Sequence, residues 1–236
     1  MQQVRDWLRG ASSVAVLTGA GISAESGIPT FRSANGLWRK YRPEDLATPQ
    51  AFLRDPLLVW EWYQWRRALI AGAEPNPGHL ALAALESRVD RFLLVTQNVD
   101  GMHDRAGSRR IVKLHGDIWI LRCIQCAREW EDHCTHLPVL PPRCDCGGLA
   151  RPGVVWFGET LPTLAWQEAE DAMRSAALLL VVGTSGVVYP AAGLVSIARS
   201  AGARVVEINV EDTAQSAYCD AMLRGRSGDL LPQLIA

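Results

Sequence analysis

The 236-residue sequence predicts an α/β fold: a parallel sheet with helices on both faces, plus a small domain built from two insertions. Three observations carry this. Apolar runs at residues 13–17, 91–95, 111–114, 177–182 and 204–208 lack polar alternation, as strands covered on both faces do. Segments of helical period at 79–88, 166–174 and 191–200 alternate with them. Two stretches interrupt that order. Residues 32–78 are first rich in turn formers and then helical, and residues 119–152 are rich in Cys, Pro and His with little periodicity.

Composition narrows the function classes. A hydrophobic content of 48% and a net charge of −1 are those of an ordinary globular protein, and no basic excess points to nucleic acid. The first residues lack a basic region leading into an apolar one, so no signal peptide is expected and a cytoplasmic protein is the expectation. Residues 175–198 carry no charge, long enough to suggest a membrane span, but Gly183-Thr-Ser-Gly186 and Tyr189-Pro190 break the stretch into strand, turn and helix. No membrane partner is expected. Nothing in the sequence sets an oligomeric state, and a monomer is the working expectation.

In chain order, residues 4–9 read as a short helix and 13–17 as the first buried strand. Thr18-Gly-Ala-Gly-Ile-Ser-Ala24 follows, and its Gly19, Gly21 and Ala24 have the G-x-G-x-x-A spacing that lets a backbone approach a pyrophosphate. A dinucleotide fold of the usual kind would next give a helix, a second strand and an acidic residue about 20 positions on. Here Ile28-Pro-Thr-Phe-Arg32 and the residues after it read instead as a long ligand-covering loop. Residues 48–71 are helical with too many apolar positions for one face. They form a helical module packed on something else.

The strand at 91–95 ends in Thr96-Gln-Asn-Val-Asp100-Gly101, and that at 111–114 runs into His115-Gly116. In a parallel sheet these carboxyl ends share one edge with the glycine-rich loop, which is where such sheets bind ligands. A histidine there suits proton abstraction near pH 7. Asn209-Val-Glu211 repeats the pattern after the strand at 204–208, and residues 223–228 read as a closing loop before a last short helix.

Cys123-Ile-Gln-Cys126 and Cys144-Asp-Cys146, with 17 residues between the pairs, approach a zinc-ribbon pattern. Cys134 and His136 are rival ligands, and the paired cysteines are preferred because each pair sits on a turn. Four thiolates leave no open position, so the expected Zn²⁺ is structural.

These motifs, with Val154-Val-Trp-Phe-Gly-Glu159 and Gly183-Thr-Ser185, together resemble the sirtuin family of NAD-dependent protein lysine deacylases over nearly the whole chain. The resemblance implies a Rossmann-like NAD-binding domain at 1–31, 79–118 and 153–236, and a small domain at 32–78 and 119–152. It implies NAD⁺ as a consumed co-substrate and acylated-lysine protein or peptide as the partner. By position, Gly19, Ala20, Gly21 and Ile22 would hold the phosphates, with Phe31 and Arg32 in the covering loop. Gln97 and Asn98 would face the nicotinamide ribose, and Val99 and Asp100 the carboxamide. Gly183, Thr184, Ser185, Asn209, Val210, Glu211 and Ser227 would surround the phosphate and adenosine half. Val155, Phe157 and Gly158 would pair with the substrate backbone as an added strand. His115 would be the general base of the family mechanism and Asn98 its catalytic companion. The products would be nicotinamide, free lysine and 2'-O-acyl-ADP-ribose.

The sequence departs from the commonest family pattern at Thr30, where many members carry Asp. That Thr resembles the subgroup acting on acidic acyl groups, as do Tyr63-Gln-Trp-Arg66 and the small Ala24. Residues three apart share a helix face, and a guanidinium can grip a carboxylate in two places. Succinyl and malonyl are therefore the expected groups, with acetyl a further candidate. A plain deacetylase, an ADP-ribosyltransferase or a non-catalytic NAD sensor on the same fold are the alternatives.

Overall fold

The computed structural model describes residues 1–30 and 43–236. Helix α1 (Gln2–Gly10) leads into β1 (Ser13–Thr18) and the short α2 (Ala20–Ala24). Helices α3 (Pro43–Leu46), α4 (Pro49–Arg54), α5 (Pro56–Ala71) and α6 (Pro77–Glu86) precede β2 (Arg91–Thr96), α7 (Met102–Arg105) and β3 (Ile111–Lys113). Strands β4 (Gly116–Cys123), β5 (Glu129–Glu131) and β6 (Ala150–Val154) come next, then α8 (Thr163–Ser175), β7 (Leu178–Val182), α9 (Gly193–Ser200), β8 (Arg204–Asn209), β9 (Ala221–Arg224) and α10 (Ser227–Ile235).

Six strands form one parallel sheet in the order β3-β2-β1-β7-β8-β9. The chain builds outward from β1 in one direction through β2 and β3, then returns to lay β7, β8 and β9 on the other side. The order therefore reverses between β1 and β7. A crevice opens outside the carboxyl ends of the strands at such a switch. Successive side chains of a strand point to opposite faces, and the core divides accordingly. Val14, Val16, Leu94, Leu180 and Val206 pack with α1, α6 and α10, whereas Ala15, Leu17, Val95, Val181 and Val205 pack with α8 and α9.

The helical stretch at 48–71 is two helices, which start at Pro49 and Pro56. Thr48 and Asp55 each accept a hydrogen bond from a backbone N–H three residues on, and Pro49 and Pro56 occupy the first helical turn. Asn76-Pro77 repeats the device at α6, where His79 completes a capping box. A short polar cap with proline behind it satisfies orphan amides and presets the backbone, so it both ends and restarts the chain. The residues around the cysteines, expected to have little periodicity, form an antiparallel sheet in the order β5-β4-β6. Helix α5 packs on that sheet: Trp60 Nε1 donates to Ala150 O at 2.8 Å, and the buried Arg67 donates to Ile118 O from Nε at 2.9 Å and Nη2 at 2.8 Å. This contact explains why α5 is apolar on more than one face.

Strand β9 occupies part of the stretch expected to be a closing loop. Its four residues alternate half-buried and exposed at the sheet edge, too short a pattern to register as a strand. Among the described residues no helix is long and apolar enough to cross a membrane.

Candidate active site

The switch edge is assembled from strand ends in matched register: Thr18 lies beside Thr96 on one side and Val182 on the other, and Thr96 lies beside Lys113. The loops leaving β1 and β7 touch. A Cβ on Gly21 would stand 2.7 Å from Gly183 Cα, and Gly183 itself has φ +59°, so neither position tolerates a side chain without displacement. Gly21 N–H donates to Gly183 O at 2.7 Å. Gln97 Nε2 donates to Thr184 Oγ1 at 3.0 Å, and Asn209 Nδ2 to Thr184 O at 3.0 Å, so polar groups from β1, β2, β7 and β8 meet across the switch. Ser185, Val210 and Glu211 are exposed there. Ser227 is buried, and its hydroxyl donates to Glu25 at 2.9 Å. Phe31 and Arg32 lie outside the described residues.

His115 follows β3 at the turn into β4. Gly116 has φ +78°, and a Cβ there would meet Gly153 O at 2.1 Å, so only glycine lets the turn pass this close. His115 Nδ1 lies 2.9 Å from Gln97 O, which can only accept, so Nδ1 carries the proton and the Nε2 lone pair is free to act as a base. Burial pushes the His115 pKa down, and the bond to Gln97 opposes that shift without cancelling it. The imidazole is therefore neutral at pH 7.

Behind this edge lies a buried polar network. Asn98 Nδ2 donates to Gly19 O at 3.0 Å and to Ser23 Oγ at 3.2 Å, and Ser23 donates to Asp100 Oδ2 at 2.8 Å. Met102 N–H donates to Asp100 Oδ1 at 2.9 Å. His79 Nδ1 accepts from Asn76 N–H, which puts the proton on Nε2, 3.3 Å from Ser23 Oγ. Burial lowers the His79 pKa to about 4 and the His103 pKa well below its ordinary value, so both rings are neutral. Asp100 is shifted upward by burial, which its two hydrogen bonds and the Arg66 charge resist. Val99 is half-buried beside it, and its carbonyl accepts from Ile118 N–H at 2.9 Å.

Tyr63 and Arg66 project from α5 and are 2% and 6% exposed. The Arg66 guanidinium lies 4.9 Å from the Trp62 ring centroid and 5.9 Å from that of Tyr63. Burial lowers its pKa, countered by the Tyr63 phenol and the Asp100 carboxylate, so the pair on α5 is electrostatically linked to the strand-end network. Ala24 stands exposed at the end of α2. Val155 N–H donates to His115 O at 2.8 Å and Phe157 N–H to Ala47 O at 2.9 Å. A peptide laid on this strip would have to use its other polar groups.

The thiols of Cys123, Cys126, Cys144 and Cys146 lie within 4.8 Å of one another. The Cys123–Cys146 and Cys126–Cys144 sulfur separations are 3.5 and 3.8 Å. Four ligands at the Zn–S distance of about 2.3 Å stand about 3.8 Å apart in a tetrahedron, so the donor set fits one Zn²⁺. The amides of Gln125 and Cys126 point at Cys123 Sγ at 3.4 and 3.5 Å, as donors that support a thiolate do. Cys134 donates to His136 O and stands outside this group.

Residues 19–190 match the model of the Sir2 family. The chain belongs to the Sir2 family. It is 56% identical over 209 residues to the NAD-dependent protein deacylase of Aquifex aeolicus, covering 88% of this chain and 87% of that one. It is 54% identical over 235 residues to NAD-dependent protein deacylase 2 of Pyrobaculum aerophilum, covering 98% and 93%. A solved Sir2 homologue in complex with NAD superposes with a TM-score of 0.95 at 44% identity over 100% of this chain and 92% of that one. A Sir2 structure with a deacetylated p53 peptide and 3'-O-acetyl ADP-ribose superposes at 0.87 with 31% identity, covering 100% and 97%.

For this Sir2 chain, sequence reasoning gave no role of their own to Ser23, His79 and His103, or to Thr18, which bonds both Thr96 Oγ1 at 2.8 Å and His103 Nε2 at 3.0 Å. The signal available was Asn76-Pro-Gly-His79, a helix start whose histidine caps it. That signal says where His79 sits but not that Ser23 lies against its other nitrogen.

Proposed function

We propose that this chain removes succinyl and malonyl groups from protein lysines, consuming NAD⁺. The coarser activity rests on family membership and on near full-length relatives: the chain is an NAD-dependent enzyme acting on protein lysines. The acyl preference is carried by one observation, the burial of a tyrosine and an arginine one helical turn apart on α5, electrostatically linked to Asp100. A guanidinium held this far from water gains most from a carboxylate brought to it, because a charge-assisted bond strengthens as solvent is excluded. An acetyl group offers no such carboxylate.

The reaction would run at the switch edge, between the Rossmann-like part (1–31, 79–118, 153–236) and the small part (32–78, 119–152). The NAD⁺ co-substrate supplies an activated ribose carbon from which nicotinamide departs. Gly19 to Ile22, Gly183, Thr184, Ser185 and Asn209 would hold its phosphate and adenosine half, with Val210, Glu211 and Ser227 at the rim. Gln97 and Asn98 would orient the ribose, and Val99 and Asp100 the carboxamide. His115 would take a ribose hydroxyl proton at Nε2, the nitrogen that its bond to Gln97 leaves free. Residues 155–158 would dock the peptide as a strand and deliver its acyl-lysine toward Tyr63 and Arg66, with Ala24 leaving room. Excluding water from this enclosure would suppress plain NAD⁺ hydrolysis.

Substitution Arg66→Met tests the preference. Loss of a charge-assisted bond should lower desuccinylation of a peptide about 10- to 100-fold, and deacetylation of the same peptide far less, with both products followed by mass spectrometry. Equal losses on the two peptides would remove the carboxylate clamp from the account.

A further inference from the structure

An indole N–H donates and cannot accept, so the 2.9 Å contact between Trp156 Nε1 and Tyr63 Oη has a single polarity. The phenol oxygen accepts. Its own proton is then committed to another direction, and among the described residues it meets no acceptor, although the phenol is buried. Burial raises the Tyr63 pKa, which keeps that proton in place. Tyr63 is thus a buried donor held ready for a group that arrives from outside.

Trp156 is fixed on every side. The Arg151 guanidinium lies over its ring, 3.4 Å from the centroid, and Phe52 meets it at 5.4 Å. Arg151 is held by both oxygens of Glu159, at 2.5 and 2.9 Å, and by Val154 O at 2.8 Å. Trp156 N–H donates to the same carboxylate at 2.8 Å. A cation on the indole face draws density from the ring and makes its N–H a stronger donor. Because Trp156 stands between Val155 and Phe157, its bond ties the peptide-docking strip to α5, 93 positions away in the chain.

We propose that Trp156 is a specificity-determining positioning residue, whose indole N–H fixes the Tyr63 hydroxyl as a donor toward a substrate carboxylate gripped by Arg66. The inference rests on the acidic-acyl reading above. It adds to that reading a residue that never touches the substrate carboxylate.

Trp156→Phe removes the N–H and keeps an aromatic face for Arg151 and Phe52. The readout is the ratio of kcat/KM for a succinyl-lysine peptide to that for the same peptide carrying acetyl-lysine. The ratio should fall about tenfold, the size of one hydrogen bond, mostly through KM. In a Tyr63→Phe background the same substitution should lower it no further. A ratio unmoved by Trp156→Phe in protein that melts like the parent overturns the proposal, as does an undiminished effect in the Tyr63→Phe background. Should Trp156→Phe melt low, Tyr63→Phe alone decides: it must lower the ratio, and an unchanged ratio overturns the proposal. These results are read beside Arg66→Met. If Arg66→Met lowers both activities equally, the acidic-acyl reading itself has failed. If it lowers only desuccinylation while Trp156→Phe leaves the ratio intact, the clamp stands and the role given to Trp156 does not.

Discussion

The six-stranded sheet buries every residue of β1 and β7 between two helical layers, whereas β5 of the three-stranded sheet has no buried residue and β4 is buried at only half its positions. The first sheet is held by apolar packing on both faces. The second shares an apolar core with α5 on one side, built from Trp60, Tyr63, Ile118, Leu121 and Val154, and carries four thiols at its end as a staple. Function is distributed unequally across them. His115, Asn98 and Asp100 stand beyond the strands of the first sheet, outside its apolar core. Tyr63 and Arg66 stand on the helix that packs on the second sheet, so the proposed acyl recognition would depend on that sheet, whereas His115, the proposed base, adjoins the end of β4 away from the thiols.

Removing the metal should expose that contrast most strongly. A four-thiolate zinc site contributes on the order of 10 kcal/mol to the folding of its surroundings. Stripping it with a chelator should open β4, β5, β6 and the α5 contact to hydrogen exchange while β1, β2 and β7 stay protected. Desuccinylation should be lost with the α5 contact. Uniform loss of protection would show that the two sheets fold as one unit, and unchanged protection would show that Arg67 and Trp60 suffice without the metal.

Replacing the base probes the other side of the comparison. His115→Ala should lower kcat/KM on every acyl peptide by roughly 10²- to 10⁴-fold, the usual contribution of a general base. The melting temperature should shift by only a few degrees, because among the described residues the ring's one hydrogen bond is to Gln97 O at the sheet's edge. A large drop in melting temperature would make His115 part of the fold and not only of the chemistry.

The same contrast governs what could be read from the sequence. Central strands were legible because burial on both faces leaves unbroken apolar runs, and the placement of His115, Asn98 and Asp100 followed from the rule that parallel strands end at one edge. Strand β9 was not, since an edge strand of four residues carries no such run. Strands β4 to β6 were hidden because β4 is buried at only half its positions, β5 at none, and β6 carries Pro152 and Gly153, so no regular period marks them. Spacing did show which cysteines would meet. Spacing could not show that Ser23 would link Asn98, Asp100 and His79, nor that Trp156 would turn its N–H on Tyr63, because those partners are chosen by tertiary contact.

The smallest effect concerns how His115 titrates. A general base works only when neutral, so activity falls as pH drops through its pKa. Burial lowers that pKa below the ordinary 6.5, and the Gln97 carbonyl, which favours the charged ring, opposes the shift. The acid limb of kcat/KM should therefore lie below pH 6.5, with more than about half of the plateau rate remaining at that pH, where an unshifted imidazole would retain half. Asp100, shifted upward by burial, would add a second titration to the limb if its carboxylate form is needed. Because the imidazole ring's hydrogen-bond partner among the described residues is Gln97 O, which does not ionise, acetyl and succinyl peptides should give the same limb. A limb that moves with the acyl group would mean that the carboxylate gripped at Arg66 reaches the base electrostatically, and the two halves of the site would no longer act independently.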